Sequence, residues 1–222
     1  MAQENRLSQT DCKKRGTTMR LIGMLDSPYV RRVAISLRLL DLPFAHVPLS
    51  VFRDFDAFAA INPVVKAPTL VMDDGSVLLD STLILDTLDR LASPALRLTP
   101  QDGPDFVRSQ RLIGLALAAC EKSVQIVYER NLRPAEKQHQ PWLDRVEGQL
   151  RAAYALLETE FAATPGWQFG PRAMQADVTT SVSWRFTQFV LPDLLSAADH
   201  PALAALSERA EATAAFQASP IA

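Results

Sequence analysis

From Arg20 to about Ala92 the spacing of apolar residues switches repeatedly between two periods. Residues 20–25 (RLIGML) form a short apolar run that reads as a strand. Ser27-Pro28 then gives a helix start, with serine at the N-cap and proline at the first helical position. Val30, Val33, Ala34, Leu37 and Leu40 recur at helical spacing, which predicts an amphipathic helix over 28–41 ended by Pro43. Phe44 to Ser50 reads as a second strand, and the lengths fit a βαβ unit with parallel pairing and a right-handed crossover. Phe52 to Ile61 reads as a short helical or irregular piece stopped by Asn62-Pro63. Two apolar runs, 67–72 and 76–79, flank Asp73-Asp74-Gly75, the signature of a β-hairpin. Asp80-Ser81 closes the second run and caps a further helix, whose inner face is predicted to carry Leu83, Ile84, Thr87, Leu88 and Leu91.

After Pro94 no segment alternates, and helical periods recur in 106–128, 143–161, 177–189 and 201–215. The order βαβ, connection, ββα resembles a thioredoxin-like domain. The fold class is therefore α/β plus all-α: a thioredoxin-like unit over 19–94, a linker over 95–104 rich in Pro, Gly and Asp, and a helical unit over 105–222. Residues 1–18 are polar throughout and are expected to be a disordered tail, with Met19 opening the folded part and Cys12 an incidental exposed thiol.

Composition narrows the classes without naming a function. The 222 residues are 48% hydrophobic and 22% charged, enough apolar content to bury a core. Against 25 acidic residues stand 23 basic ones, a net charge of −2, which lacks the field expected of a nucleic-acid binder. Two cysteines cannot build a disulfide scaffold, and no Cys/His cluster suggests zinc, so no metal is expected. The tail has no apolar core of a secretory signal, and the run from Leu112 to Cys120 is far short of the about 20 residues a membrane span needs. A cytoplasmic location without membrane contact is the expectation.

Four features of the first unit point to one kind of ligand. Ser27 serves as an N-cap in one reading; in the other, the helix N-terminus and its hydroxyl hold a thiolate. Lowering a thiol's pKa by about two units takes only about 2.7 kcal/mol, within reach of a charge-assisted hydrogen bond plus a helix dipole. In Lys66-Ala67-Pro68, a trans proline simply opens a strand, whereas a cis proline turns the Ala67 N–H and C=O outward toward an extended ligand. Asp80-Ser81 is a cap or a headgroup site, with Ser81 taking a carboxylate and Asp80 an ammonium. Arg53 and Lys66 are either solvated charges or holders of a second carboxylate. His46, His139 and His200 are scattered and read as structural. Cys120 reads as a buried small hydrophobe on the face Leu112, Leu115, Ala116, Ala119. Trp142, Trp167, Trp184, Phe186 and Phe189 read as core.

SPYVRRVAISLRLL, NPVVKAPTLV and LLDSTLIL together resemble the glutathione-binding half of a bacterial-type glutathione S-transferase with a serine-type active site. The family pattern is Ser-Pro-x-x-x-(Arg/Lys)-Val, Asn-Pro-x-x-x-(Val/Ile/Ala)-Pro-x-Leu and (Glu/Asp)-Ser before a helix. The resemblance covers about 19–222. It implies glutathione as co-substrate, no other cofactor, a small electrophile as second substrate and a homodimer. By resemblance Ser27 is the catalytic hydroxyl. Ala67 pairs its backbone with the cysteinyl part of glutathione, and Pro68 is the cis-proline. Asp80 and Ser81 hold the γ-glutamyl end; Lys66 lies near the glycyl end and Arg53 near a second basic contact. Part of the helix over 106–128 is expected to line the electrophile pocket. Two departures stand out: no tyrosine ends the first strand, where Met24-Leu25-Asp26 stand, and Met174-Gln175-Ala176-Asp177 keeps the acid of a helix-capping box but loses its hydroxyl. Alternatives to a transferase are a non-catalytic binding or assembly module of the same family, or a glutathione-dependent isomerase, dehalogenase or peroxidase.

Overall fold

The computed structural model describes residues 19–221; Cys12 and the expected tail lie outside them. Strand β1 (Met19–Ile22) pairs in parallel with β2 (Phe44–Val47) across helix α1 (Pro28–Leu39), and antiparallel with β3 (Thr69–Val71). The hairpin adds β4 (Val77–Leu79), giving the sheet order β2-β1-β3-β4. A short helix, α2 (Phe55–Ala59), joins β2 to β3, and α3 (Ser81–Leu91) follows β4. The strands are shorter than the apolar runs. Gly23, at φ +135°, turns β1 away after Ile22, and Pro48 cannot donate to continue β2.

Helix α1 packs Val30, Val33, Ala34 and Leu37 on the sheet beside Leu21 and Leu70, together with Ile84, Leu85 and Leu88 of α3. The inner face of α3 is narrower than its periodicity implied. Leu83 and Leu91, assigned inward from sequence, are exposed, because Leu85 takes the buried turn position instead.

The remaining long elements are helical: α4 (Gly103–Leu132), α5 (Gln140–Ala163), α6 (Gln175–Val190), α7 (Pro201–Glu211) and α8 (Ala214–Gln217). The helical tract 201–215 is thus two helices, broken where Thr213 bonds back to the Ala210 carbonyl. Leu112, Ala116 and Ala119 of α4 pack with Val146, Leu150, Leu157 and Tyr154 of α5 and Trp184 of α6. No helix among the described residues is long and apolar enough to cross a membrane.

The two units share α1. Ile35 on its outer face packs with Val178 and Val182 of α6 and Phe216 of α8. Buried Arg31 forks onto the Glu211 carboxylate at 2.8 and 2.7 Å, donates from Nε to the Ser219 carbonyl at 2.8 Å, and lies over the Phe216 ring. Ser36 donates to Gln175 Oε1 at 3.1 Å.

At the start of α6 the capping box is more complete than its sequence suggested. Asp177 Oδ2 accepts from the Met174 N–H at 2.9 Å and Oδ1 from the Gln168 N–H at 3.1 Å. The reciprocal position is filled by the Met174 side chain, whose thioether is a weak acceptor. Burial pushes the Asp177 carboxyl up to about 6, against the pull of these hydrogen bonds and of Arg209. An acid whose pKa is raised on folding holds its proton more tightly in the fold than in the unfolded chain. Its contribution to stability is therefore full below about pH 4 and falls until about pH 6. Asp177→Ala is expected to strand two buried N–H groups, at a cost of about 2–4 kcal/mol. Urea titrations across about pH 4 to 7 should find that cost largest at the acid end; a cost independent of pH would contradict the raised pKa.

Candidate active site between the two units

A cavity of about 900 Å³ opens between the C-terminal edge of the sheet and helices α4 and α6. Its sheet side is lined by the loop after β2, from Leu49 to Phe52, and by three turns that each carry one of the sequence motifs.

The first turn joins β1 to α1. Ser27 is the N-cap, its extended backbone (φ −72°, ψ 120°) leading into Pro28, and its Oγ accepts from the Val30 N–H at 3.4 Å. That contact uses a lone pair and leaves the hydroxyl proton to donate elsewhere. Ser27 is half-buried and lines the cavity. The N-cap reading and the thiolate reading are thus compatible in one oxygen. Gly23 fixes how close this turn lies to the next. A Cβ there would stand 2.6 Å from Val30 Cγ2 and 3.1 Å from Ala67 Cβ, at a φ that L side chains rarely adopt.

The second turn carries Val65 to Pro68, and the Ala67–Pro68 bond is cis. Ala67 lies just before β3 begins, outside the strand ladder, and lines the cavity with Val65, Lys66 and Pro68. Val65, a β-branched residue, is held at φ +49°, and the Val65 N–H donates to the Asn62 carbonyl at 2.9 Å. Buried Asn62 donates to Thr69 Oγ1 at 2.8 Å, which donates in turn to the Lys66 carbonyl at 2.8 Å. The loop is tied at both ends.

The third turn places Asp80 as the N-cap of α3 at φ +68°, its Oδ1 accepting from the Thr82 N–H at 2.8 Å. Ser81 is buried beneath it. Sequence reasoning did not single out what stands behind Ser81. Arg32, 2% exposed, donates from Nη1 to Ser81 Oγ at 3.2 Å, while its Nε has no hydrogen-bond partner. Burial pushes its pKa down to about 10, with Cys120, Asp80 and Tyr29 acting the other way. A guanidinium remains charged at neutral pH even so, and it raises the potential at the start of α3. The second arginine of SPYVRRV was the available signal. Arg53, the other half of the basic pair, is the one candidate residue that does not line the cavity. It is exposed and outside the lining, and only its backbone N–H is engaged, by Ser50 Oγ at 3.2 Å.

Comparison with known proteins accounts for this arrangement. Residues 21–96 match the family model described as glutathione S-transferase, N-terminal domain, and residues 140–209 the corresponding C-terminal domain. The chain is 30% identical over 172 residues to a maleylacetoacetate isomerase of Pseudomonas aeruginosa, covering 72% of this chain and 77% of that one. The chain belongs to the glutathione S-transferase family. Among solved structures, a glutathione S-transferase of Methylobacterium radiotolerans, in complex with glutathione sulfonate, superposes with a TM-score of 0.85 at 29% identity. That match covers 93% of this chain and 96% of the other. A family member from Pseudomonas fluorescens, with bound S-(propanoic acid)-glutathione, gives 0.78 at 31% identity over 91% of this chain and 98% of the other.

As the resemblance implied, part of α4 faces the first unit, through Gly114, Leu117, Ala118, Glu121, Val124, Val127 and Tyr128. These lie one face away from the core stripe read in the sequence. Phe186 and Phe189, read there as core, also line the cavity; Phe189 is half exposed, because α6 turns this end toward the gap. Phe52 and Tyr128 meet edge to face across the gap, centroids 5.9 Å apart. The other chemistry near the site is quiescent. Burial pushes the Cys120 thiol up to about 12, so it stays protonated. Burial, with Cys120 and Glu121, raises Tyr29 well above the usual phenol range. His46 bonds the Gly23 carbonyl at 2.8 Å, and His200 stacks on Trp184, both outside the cavity.

Gly23→Ala tests the placement of the first two turns. It is expected to destabilise the chain by about 1–3 kcal/mol, from the disfavoured φ and the clash with Val30. A thermal midpoint within a degree of the parent would mean that the turns tolerate separation.

Proposed function

We propose that this protein is a glutathione transferase of the serine type, binding glutathione along the three turns and joining its sulfur to an electrophile beside α4 and α6. The observation that carries the reading is the N-cap hydroxyl of Ser27 opening onto the same cavity as the cis Ala67–Pro68 bond and the Asp80–Ser81 helix start. Those three features match an extended tripeptide with an amino-acid headgroup at one end and a thiol at its middle.

In this reading the γ-glutamyl carboxylate accepts from Ser81 and the first N–H groups of α3, with the Arg32 charge behind them, and its ammonium faces Asp80. Ala67 offers its N–H and C=O to the cysteinyl residue. Lys66 lies toward the glycyl carboxylate, and Arg53 has no part unless its side chain swings inward. The Ser27 hydroxyl donates to the sulfur, and the N-terminus of α1 favours its negative charge. The thiol proton leaves to solvent. In a displacement, the thiolate's electron pair forms the S–C bond and the leaving group departs with the pair of the bond it breaks. Positioning and thiolate stabilisation are the protein's contribution, and no metal or organic cofactor is required. The family relationship also supports a homodimer in the cytoplasm as the working form.

The likeness to a maleylacetoacetate isomerase supports a second reading, in which the same thiolate adds to a double bond and is later expelled. It shares the Ser27 step and differs only in the second substrate.

Two variants separate the parts of this machinery. Ser27→Ala leaves the α1 N-terminus in place and removes the hydrogen bond, so it is expected to raise the pKa of bound glutathione by about one unit and to lower kcat/KM with an aryl halide about 10-fold near neutral pH. The pH–rate profile and thiolate absorbance read this out, and an unmoved profile would reject Ser27 as the activator. Arg32→Met is expected to weaken glutathione binding about 5- to 50-fold while leaving the bound thiol's pKa in place. Isothermal titration checks the first effect, and an unaltered affinity would remove Arg32 from the carboxylate site.

A further inference from the structure

On its helical side the cavity is apolar apart from the Tyr128 hydroxyl and one charged lining residue, Glu121. Glu121 of α4 lines the wall among Leu117, Ala118 and Val124. Its carboxylate is exposed, and at Oε1 it accepts from Gln125 Nε2 at 2.6 Å and forms an ion pair with the Lys122 ammonium at 3.3 Å. Neither Lys122 nor Gln125 belongs to the lining. Asp26, exposed in the turn before Ser27, lines the opposite wall and lies close enough to Tyr128 to act on its phenol. Among the described lining residues Lys66 is the one cation, and it sits on the sheet side beside Ala67.

We propose that Glu121 and Asp26 make the electrophile chamber selective by charge, admitting uncharged or cationic aromatic compounds and rejecting those that carry a carboxylate. The inference rests on the glutathione-transferase reading and adds to it the class of the second substrate. Aromatic walls from Phe186, Phe189 and the Phe52–Tyr128 pair suit a flat apolar body. A carboxylate brought between two acids meets like charge on both sides, while Lys122, outside the lining, is already paired with Glu121. Both acids are exposed, so the repulsion is that of solvated like charges, modest and screened by salt.

The Pseudomonas fluorescens relative was solved with a conjugate whose name includes a propanoic acid group, so the family fold itself does not forbid a carboxylate on sulfur. The selectivity resides in this chain's own wall residues.

Preformed conjugates test this without turnover. S-(4-carbamoylbenzyl)glutathione and S-(4-carboxybenzyl)glutathione differ in charge and hardly in shape. Their affinities and that of glutathione itself are measured by isothermal titration at low and high salt. The carbamoyl conjugate is expected to bind about three- to ten-fold more tightly at low salt, with the gap shrinking as salt rises. Glu121→Gln and, independently, Asp26→Asn should each narrow it. Glutathione binding with equal affinities for the two conjugates would overturn the charge selection and leave the transferase reading standing. So would a gap that neither variant nor salt alters. Failure of glutathione and of both conjugates to bind would overturn both.

Discussion

Helix α1 is buried on nearly every side, and everything at the site is placed relative to it. Nine of its twelve residues are buried, among them Arg31 and Arg32. A short helix with a charge on each of two buried flanks is costly unless those charges are engaged. Arg31 is engaged by Glu211, by the Ser219 carbonyl and by the Phe216 ring, all from the C-terminal end of the chain. Arg32, one residue on and about 100° around the helix, reaches the other way, to Ser81. The two guanidinium groups pull α1 toward the helical unit and toward α3 at once. The direction in which Ser27 opens from the first turn of α1 follows from that double anchoring.

The sheet side of the cavity then uses the ends of elements rather than their middles. Both helix starts line one space, and the loop between β2 and β3 brings Ala67 to the same cavity. Of the three non-glycine residues with positive φ among those described, Val65 and Asp80 line this cavity. Backbone held in a disfavoured region persists only where its surroundings over-determine it. Here the surroundings are the Asn62–Thr69–Lys66 chain and the Asp80 cap. Positive-φ backbone is thus concentrated at the cavity.

This explains which parts of the site were legible in the sequence. Ser27, Lys66, Ala67, Pro68, Asp80 and Ser81 sit in turns, where a few consecutive residues dictate the geometry, and the fold brings all six to one cavity. The order of strands and helices was legible for the same local reason. Arg53 lies outside the cavity lining, and its position depends on how the segment between β2 and α2 packs, which no local pattern encodes. The isomer of Pro68 is likewise invisible in composition. Arg32 was hidden in plain view: a charged residue in a helical pattern reads as solvent-facing, and only the tertiary fold reveals that this face of α1 is covered. Leu83 and Leu91 failed in the opposite sense, as apolar residues that the fold leaves uncovered.

The helical wall was the least legible part, and its construction says why. Gly114, Ala118 and Glu121 present a face of α4 only one step around from Leu112, Ala116 and Ala119, which are core. What decides which face looks into the gap is a buried set of hydroxyls. Ser183 donates to the Ala116 carbonyl at 2.9 Å, Thr187 lies 2.7 Å from both Ser123 and the Tyr154 hydroxyl, and Ser123 donates to the Ala119 carbonyl at 3.0 Å. Every member is partnered, so the network directs α6 against α4 without leaving an orphaned group. Burial raises the Tyr154 phenol's pKa, which keeps that node neutral. With α6 held in that rotation, Phe186 and Phe189 project toward the cavity while Trp184 stays in the core. The helical wall of the cavity is thus set by polar contacts buried behind it, spread over three helices and far apart in the chain.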